Sequence, residues 1–122
     1  MVADVGSLQR LPRLLSPGLV RELAFTGRTL DADAAVRCGL ANAIYPDRES
    51  LLNGVRQLAR QIAAKSPLAI RGSKAMLNYA RDHSLADSLD YAATWNASVL
   101  LSSDLHEAMQ ASQARRRPVF PD

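Results

Sequence analysis

The 122 residues predict a mostly α-helical chain with a small β part. Three observations carry that reading. Leu51, Leu52, Val55, Leu58, Ala59, Ile62 and Ala63 form one apolar stripe at the 3.6-residue period. Ser66-Pro67 and Ser84 with Asp87 each have the form of a helix start, the first because proline is tolerated in a first turn and the second as a capping box. Between Gly39 and Pro46, Leu40 to Tyr45 reads as one short strand.

The elements follow in order. Residues 7 to 26 read as helix interrupted near Pro12 and Pro17, with Leu8, Leu11, Leu14 and Leu15 and then Leu19, Val20, Leu23 and Ala24 at helical spacing. Gly27 suits the left-handed cap that would close it. Asp31 can cap a short helix over residues 32 to 38, because its side-chain oxygen can accept an early backbone N–H, and Gly39 can end that helix. After the short strand a long helix runs from Arg48, a second from about Pro67 to Arg81, and a third from Ser84 through Leu85, Leu89, Ala92, Asn96 and Leu100. Asp104 with Glu107 starts a fourth, expected to end near Pro118. The one organisational seam lies near residue 46, dividing a mixed part, 1–46, from a helical remainder, 47–122.

Length allows one domain, and 48% hydrophobic with 22% charged residues is ordinary for a globular protein, which excludes a disordered or fibrous class. No apolar run reaches the roughly 20 residues that cross a bilayer, and the N-terminus has no basic segment followed by an apolar one, so no membrane span and no targeting signal are expected. A single cysteine, Cys38, cannot form an internal disulfide. The net charge of +3 is too small to argue for nucleic acid, and one arginine run with few aromatic residues does not change that.

Candidate chemistry is sparse. Asp4 in Ala3-Asp4-Val5-Gly6-Ser7-Leu8-Gln9-Arg10-Leu11-Pro12 can hold or move a proton, or it can cap the helix beginning near Ser7. Arg115-Arg116-Arg117 concentrates positive charge where an anionic ligand could be met, although arginines in a last helical turn also suit the helix dipole. His83 and His106 lack the spacing of a metal-ligand set and suit surface or capping roles, and no metal site is expected. Cys38 reads as a small buried hydrophobe, and Tyr91 with Trp95 as core. The six glycines are scattered singly, so no phosphate loop is formed.

Four stretches together resemble a known family: Ala3 to Pro12; Glu22-Leu23-Ala24-Phe25-Thr26-Gly27-Arg28 with Gly39-Leu40 and Tyr45-Pro46-Asp47; Lys65-Ser66-Pro67-Leu68-Ala69 with Lys74; and Arg81-Asp82-His83-Ser84 with Tyr91 and Trp95-Asn96. The ordered set resembles the crotonase superfamily of enoyl-CoA hydratases and isomerases. Asp4 and the Arg-Asp-His-Ser segment are most similar to the dienoyl-CoA isomerases, which shift a 3,5-diene to a 2,4-diene. The resemblance implies that residues 1–46 are the last fragment of a crotonase-like α/β spiral and residues 47–122 a helical trimerisation region.

It further implies that Asp4 is catalytic, one of the carboxylates that move protons along the diene. Backbone N–H groups that polarise the thioester would lie outside these residues, so the chain alone is expected to be inactive. Arg115 stands where the family's lysine reaches coenzyme A, with Arg116 beside it, while Ser112 occupies a position where phenylalanine is usual. Acyl-CoA would be substrate and no cofactor is implied. The partners implied are an acyl-CoA thioester and further copies of the chain, as trimer or hexamer, or full-length relatives, in the cytoplasm of a bacterium or the mitochondrial or peroxisomal matrix of a eukaryote. An alternative is a non-catalytic interaction module derived from a truncated relative.

If residues 1–46 normally pack on missing strands, Leu11, Leu15, Leu23, Phe25, Leu40 and Ile44 lose burial. At about 25 cal/mol per Å² that forfeits on the order of 5 to 10 kcal/mol, the size of a whole domain's stability. The isolated chain is therefore expected to be marginal, oligomeric or dependent on a partner.

Overall fold

The computed structural model describes residues 3–121. Among these described residues seven α-helices follow one another: α1 (Ser7–Arg10), α2 (Pro17–Thr26), α3 (Ala32–Arg37), α4 (Arg48–Ala63), α5 (Pro67–Tyr79), α6 (Leu85–Val99) and α7 (Ser103–Gln113). The chain divides into two compact units, one up to Asn53 and one from Gly54 onward, so the division falls within α4.

In the first unit the interruptions fall where proline forces them. A 3₁₀ turn over Leu11–Arg13 carries Pro12, and α2 starts at Pro17 with the Ser16 hydroxyl accepting the Leu19 N–H. Gly27, at φ 65°, closes α2 as a left-handed cap. Arg28 then reaches back to Glu22 at 2.6 Å across that turn. Asp31 caps α3 by accepting the Ala34 N–H at 2.7 Å. At its other end Gly39, at φ 81°, sends its N–H to Val36 while the Leu40 N–H reaches Ala35, the paired bonds of a Schellman motif.

That motif overturns one expectation. Leu40 to Tyr45 forms no strand, and no strand occurs among the described residues. A strand exists only as half of a ladder, and no second extended segment lies beside this one. The Leu40 and Ala41 N–H groups both turn to the Ala35 carbonyl instead. The small β part is therefore absent here.

In α4, Asp47 accepts the Ser50 N–H at 2.7 Å and the Ser50 hydroxyl at 3.1 Å, and these bonds hold its carboxyl below the usual range. The helix forms as its period predicts, yet its stripe stays uncovered: Leu51, Leu52, Val55, Leu58 and Ile62 keep 38–54% of their surface.

The second unit is built on helix starts that the sequence placed well. Ser66 caps α5 with Pro67 in its first turn, and Ser84 caps α6 by accepting the Asp87 N–H at 3.1 Å. The Ser84–Asp87 box closes differently from the standard pattern. The Asp87 carboxylate takes the Ser84 hydroxyl at 2.6 Å rather than the Ser84 backbone N–H, aspartate being one methylene short of that reach. The hydroxyl bond is the main reason its carboxyl is lowered. At α7 the cap is Ser102, not Asp104; Asp104 lies inside the first turn. α7 also stops at Gln113, short of Pro118.

α5 and α6 pack through a small residue against a large one. A Cβ added at Gly72 would stand 2.3 Å from the Trp95 indole nitrogen, so only glycine admits the ring there. Tyr91 leans on Tyr79 at a ring separation of 4.7 Å, and both Tyr91 and Trp95 are half-buried, the core role their spacing predicts.

Little of this is a finished core. Among the described residues Leu15, Val20 and Ala111 are the buried large or aliphatic apolar residues, while Phe25 keeps 82% of its surface and Leu40 and Ile44 are also exposed. Of the six side chains expected to lose cover, Leu15 is buried and Leu11 and Leu23 are half-buried. No helix among the described residues is long and apolar enough to cross a membrane.

Candidate functional site

Asp4 belongs to the first unit, at the head of a tight turn. Val5 and Gly6 both take positive φ, 54° and 81°, and the Ser7 N–H returns to the Asp4 carbonyl at 3.1 Å, the signature of a type I′ turn. A β-branched residue in that conformation is strained, since its side chain crowds the backbone. The turn gives α1 its N-cap at Gly6, so the Asp4 side chain does not cap the helix. Among the described residues its carboxylate has no hydrogen-bond partner and stands exposed. The capping role open to it in the sequence is therefore not the one it takes.

The arginine run belongs to the second unit, at the end of α7. There Arg115 adopts φ 51°, the left-handed conformation usually left to glycine. Its N–H bonds Ser112 at 3.2 Å and the Arg116 N–H bonds Ala111 at 2.9 Å, a Schellman motif that ends the helix. The chain then folds back over α7. Arg116 grips Glu107 with both terminal nitrogens, at 2.5 and 2.8 Å, and the Val119 N–H adds a third bond to the same carboxylate at 2.7 Å.

Those contacts set the local electrostatics. The Arg116 bonds, with the Val119 N–H second, hold the Glu107 carboxyl down at about 2. The same bonds raise the Arg116 guanidinium. Among the described residues no carboxylate lies within ion-pair distance of Arg115 or Arg117, and both are exposed. Of the two arginines singled out in the sequence, one is thus engaged internally and the other is available to solvent.

The remaining candidates are local. The His83 ring nitrogen Nδ1 lies 2.8 Å from both the Tyr79 carbonyl and an Asp82 carboxylate oxygen, and the ring stacks on Tyr79 at 3.6 Å. It closes the end of α5, a capping role. Cys38 is half-buried with Sγ 3.5 Å from the Ala35 carbonyl. No group of His, Cys, Asp and Glu able to hold a metal ion occurs among the described residues.

Two features escaped sequence reasoning. Asp104, 6% exposed, accepts the Ser66 hydroxyl at 2.5 Å, joining the start of α7 to the start of α5 across 38 residues. An apolar groove of about 890 Å³ opens beside that pair, lined by Leu68, Gly72, Met76, Ala92, Trp95 and Leu105. The serine before proline was a visible signal, but its acidic partner was not, because nothing in the spacing joins them.

The whole chain, residues 1–122, matches the sequence model of the Enoyl-CoA hydratase/isomerase family. The chain belongs to that family. Its relatives in it include the mitochondrial Delta(3,5)-Delta(2,4)-dienoyl-CoA isomerase of Rattus norvegicus, 46% identical over 95% of this chain but only 36% of the relative. The peroxisomal enzyme of that name from Arabidopsis thaliana is 42% identical over 98% of this chain and 43% of its own length. Carnitinyl-CoA dehydratase of Citrobacter koseri is 35% identical over 98% of this chain and 47% of its length.

Solved structures agree on the fold. The enoyl-CoA hydratase of Bacillus anthracis superposes with a TM-score of 0.92 at 29% identity, covering 98% of this chain and 46% of that one. The enoyl-CoA hydratase of Mycobacterium tuberculosis H37Rv gives 0.90 at 31% identity, covering 99% and 48%. The chain therefore spans between a third and a half of the length of these family members.

Proposed function

We propose that this chain is the C-terminal portion of a dienoyl-CoA isomerase-type enzyme acting on unsaturated fatty acyl-CoA thioesters. The observation that carries the reading is its identity to dienoyl-CoA isomerases, 46% for the rat enzyme against 35% for a carnitinyl-CoA dehydratase. The state of Asp4 supports it. A proton-transfer carboxylate needs an oxygen free to take the proton, and Asp4 stands exposed on a strained turn without capping the helix behind it.

In this reading Asp4 carries a proton at one end of the diene. A second acid or base, and the N–H donors that steady the negative charge on the thioester oxygen, come from polypeptide beyond these residues. Arg115 contacts the phosphates of coenzyme A. A guanidinium can meet a phosphate with two parallel N–H bonds, so it keeps the charge of a lysine and sharpens the geometry. Acyl-CoA is the substrate and no further cofactor is required. The helices of residues 47–122, α4 to α7, associate with further copies as a trimer or hexamer, or with full-length relatives. In a eukaryote the site of action would be the mitochondrial or peroxisomal matrix.

Supplying the upstream part, fused or added in trans, is expected to give turnover of 3,5-dienoyl-CoA followed by diene absorbance. Asp4→Ala in that assembly should lower the chemical rate by two to four orders of magnitude, roughly the worth of one positioned acid–base group. Unchanged turnover removes Asp4 from the mechanism.

A non-catalytic association module is the second reading, favoured by the uncovered stripe of α4. A stable oligomer whose melting temperature does not move with acyl-CoA would select it.

A further inference from the structure

We infer that Glu107 is a positioning residue for coenzyme A: it clamps the segment after α7 so that Arg115 and Arg117 are presented to the ligand's phosphates, without touching the ligand itself. This rests on the reading above that Arg115 meets coenzyme A.

The geometry of the segment requires such a clamp. Left-handed backbone at Arg115 is unfavourable for a residue with a Cβ, so the turn must be held by bonds formed elsewhere. Two of these are the backbone bonds of the Schellman motif, which fix only Arg115 and Arg116. The rest converge on Glu107. Its two oxygens take both terminal nitrogens of Arg116 and the N–H of Val119, so one carboxylate secures the chain at two points three residues apart. Arg116 adds a bond from its guanidinium to the Arg117 carbonyl at 3.2 Å, which stiffens the span between those points. The Glu107 side chain is only 20% exposed and saturated with donors, so it has little left to offer solvent.

Charge gives the clamp its second effect. Three adjacent cations repel one another, and an anionic ligand entering among them would meet a mobile cluster. Pairing Arg116 with Glu107 neutralises the central charge and immobilises it, leaving Arg115 and Arg117 as two exposed cations on a fixed stretch of backbone. Ordering these groups before the ligand arrives lowers the entropy lost on binding, which is how a side chain that makes no ligand contact raises affinity.

The test uses the chain assembled with the upstream part that supplies the thioester site, with coenzyme A titrated by calorimetry and an acyl-pantetheine lacking every phosphate as the companion probe. Arg115→Ala is expected to weaken coenzyme A binding by about tenfold or more, the loss of one charge-assisted contact. Glu107→Ala should weaken it by a similar factor, Glu107→Gln by less, and neither should change acyl-pantetheine binding. A general loss of structure would weaken both probes alike. Should Glu107→Ala fail to fold, Arg116→Ala opens the clamp from the other side and must show the same selective loss. If Arg115→Ala weakens coenzyme A binding while Glu107→Ala and Arg116→Ala leave it unchanged, the clamp is overturned and the ligand reading stands. If Arg115→Ala has no effect, the ligand reading itself falls and the clamp with it.

Discussion

Replacing Gly72 with alanine would put a methyl carbon 2.3 Å from the indole nitrogen of Trp95, 2.8 Å from Cε2 and 3.0 Å from Cδ1. All three atoms belong to a rigid ring on the facing helix, so the methyl can be accommodated only by separating α5 from α6 or rotating the indole. Overpacking costs about 1–3 kcal/mol, and contact with a rigid ring at these distances belongs to the upper part of that range, about 2–3 kcal/mol, against which alanine's better helix propensity returns about 0.8–1 kcal/mol. The net expectation is a loss of roughly 1–2 kcal/mol, equivalent to a melting point lowered by about 4–16 °C in a unit of this size. Trp95 is the only tryptophan, so its fluorescence reports the contact directly while circular dichroism follows the helices. The same substitution made in a Trp95→Leu background should cost little, because the ring that excludes the methyl is gone. A Gly72→Ala protein that melts at or above the parent temperature with unshifted emission would refute the argument from close approach.

Removing the Ser66 hydroxyl with alanine takes away both the α5 cap and the partner of a buried carboxylate; a loss of about 2–4 kcal/mol is expected in chemical denaturation, larger than the roughly 1 kcal/mol from Ser84→Ala at the exposed cap of α6. Arg115→Gly should raise stability by about 1 kcal/mol, since glycine takes the left-handed conformation without strain, while coenzyme A binding falls. The Glu107 clamp carries a pH signature. Its folded carboxyl sits near 2, below the ordinary value of 4.5, so its contribution is complete above about pH 4.5 and is lost as pH falls through 2. Glu107→Gln should remove that part of the acid titration of stability and leave the neutral side of the profile unchanged.

The helix map was legible because its causes are local. A cap is an oxygen three residues before the N–H it accepts, and an amphipathic stripe is a period of three to four residues, so Ser66, Ser84, Asp31, Gly27 and Gly39 announced themselves. The errors came where a partner decides. Leu40 to Tyr45 has a strand's composition, yet a strand needs a neighbour, and its first N–H groups went to Ala35. Asp104 and Glu107 have a capping spacing, but Asp104 is claimed by Ser66 and Glu107 by Arg116, residues 38 and 9 positions away. α7 ends early because Arg115 turns left-handed into a Schellman motif, and Glu107 then holds the segment that folds back over the helix through Arg116 and Val119.

By itself the sequence determined the order of the helices, most of their boundaries and membership of the Enoyl-CoA hydratase/isomerase family, since these depend on residue types at short, fixed separations. Only the tertiary structure decided that Asp4 is spared from capping, that Arg116 is committed to Glu107 while Arg115 is not, and that Gly72 is where α5 admits the Trp95 ring. Those outcomes follow from which groups meet after the chain has turned, and side chains of identical type compete for the same partner until the backbone brings one of them within reach.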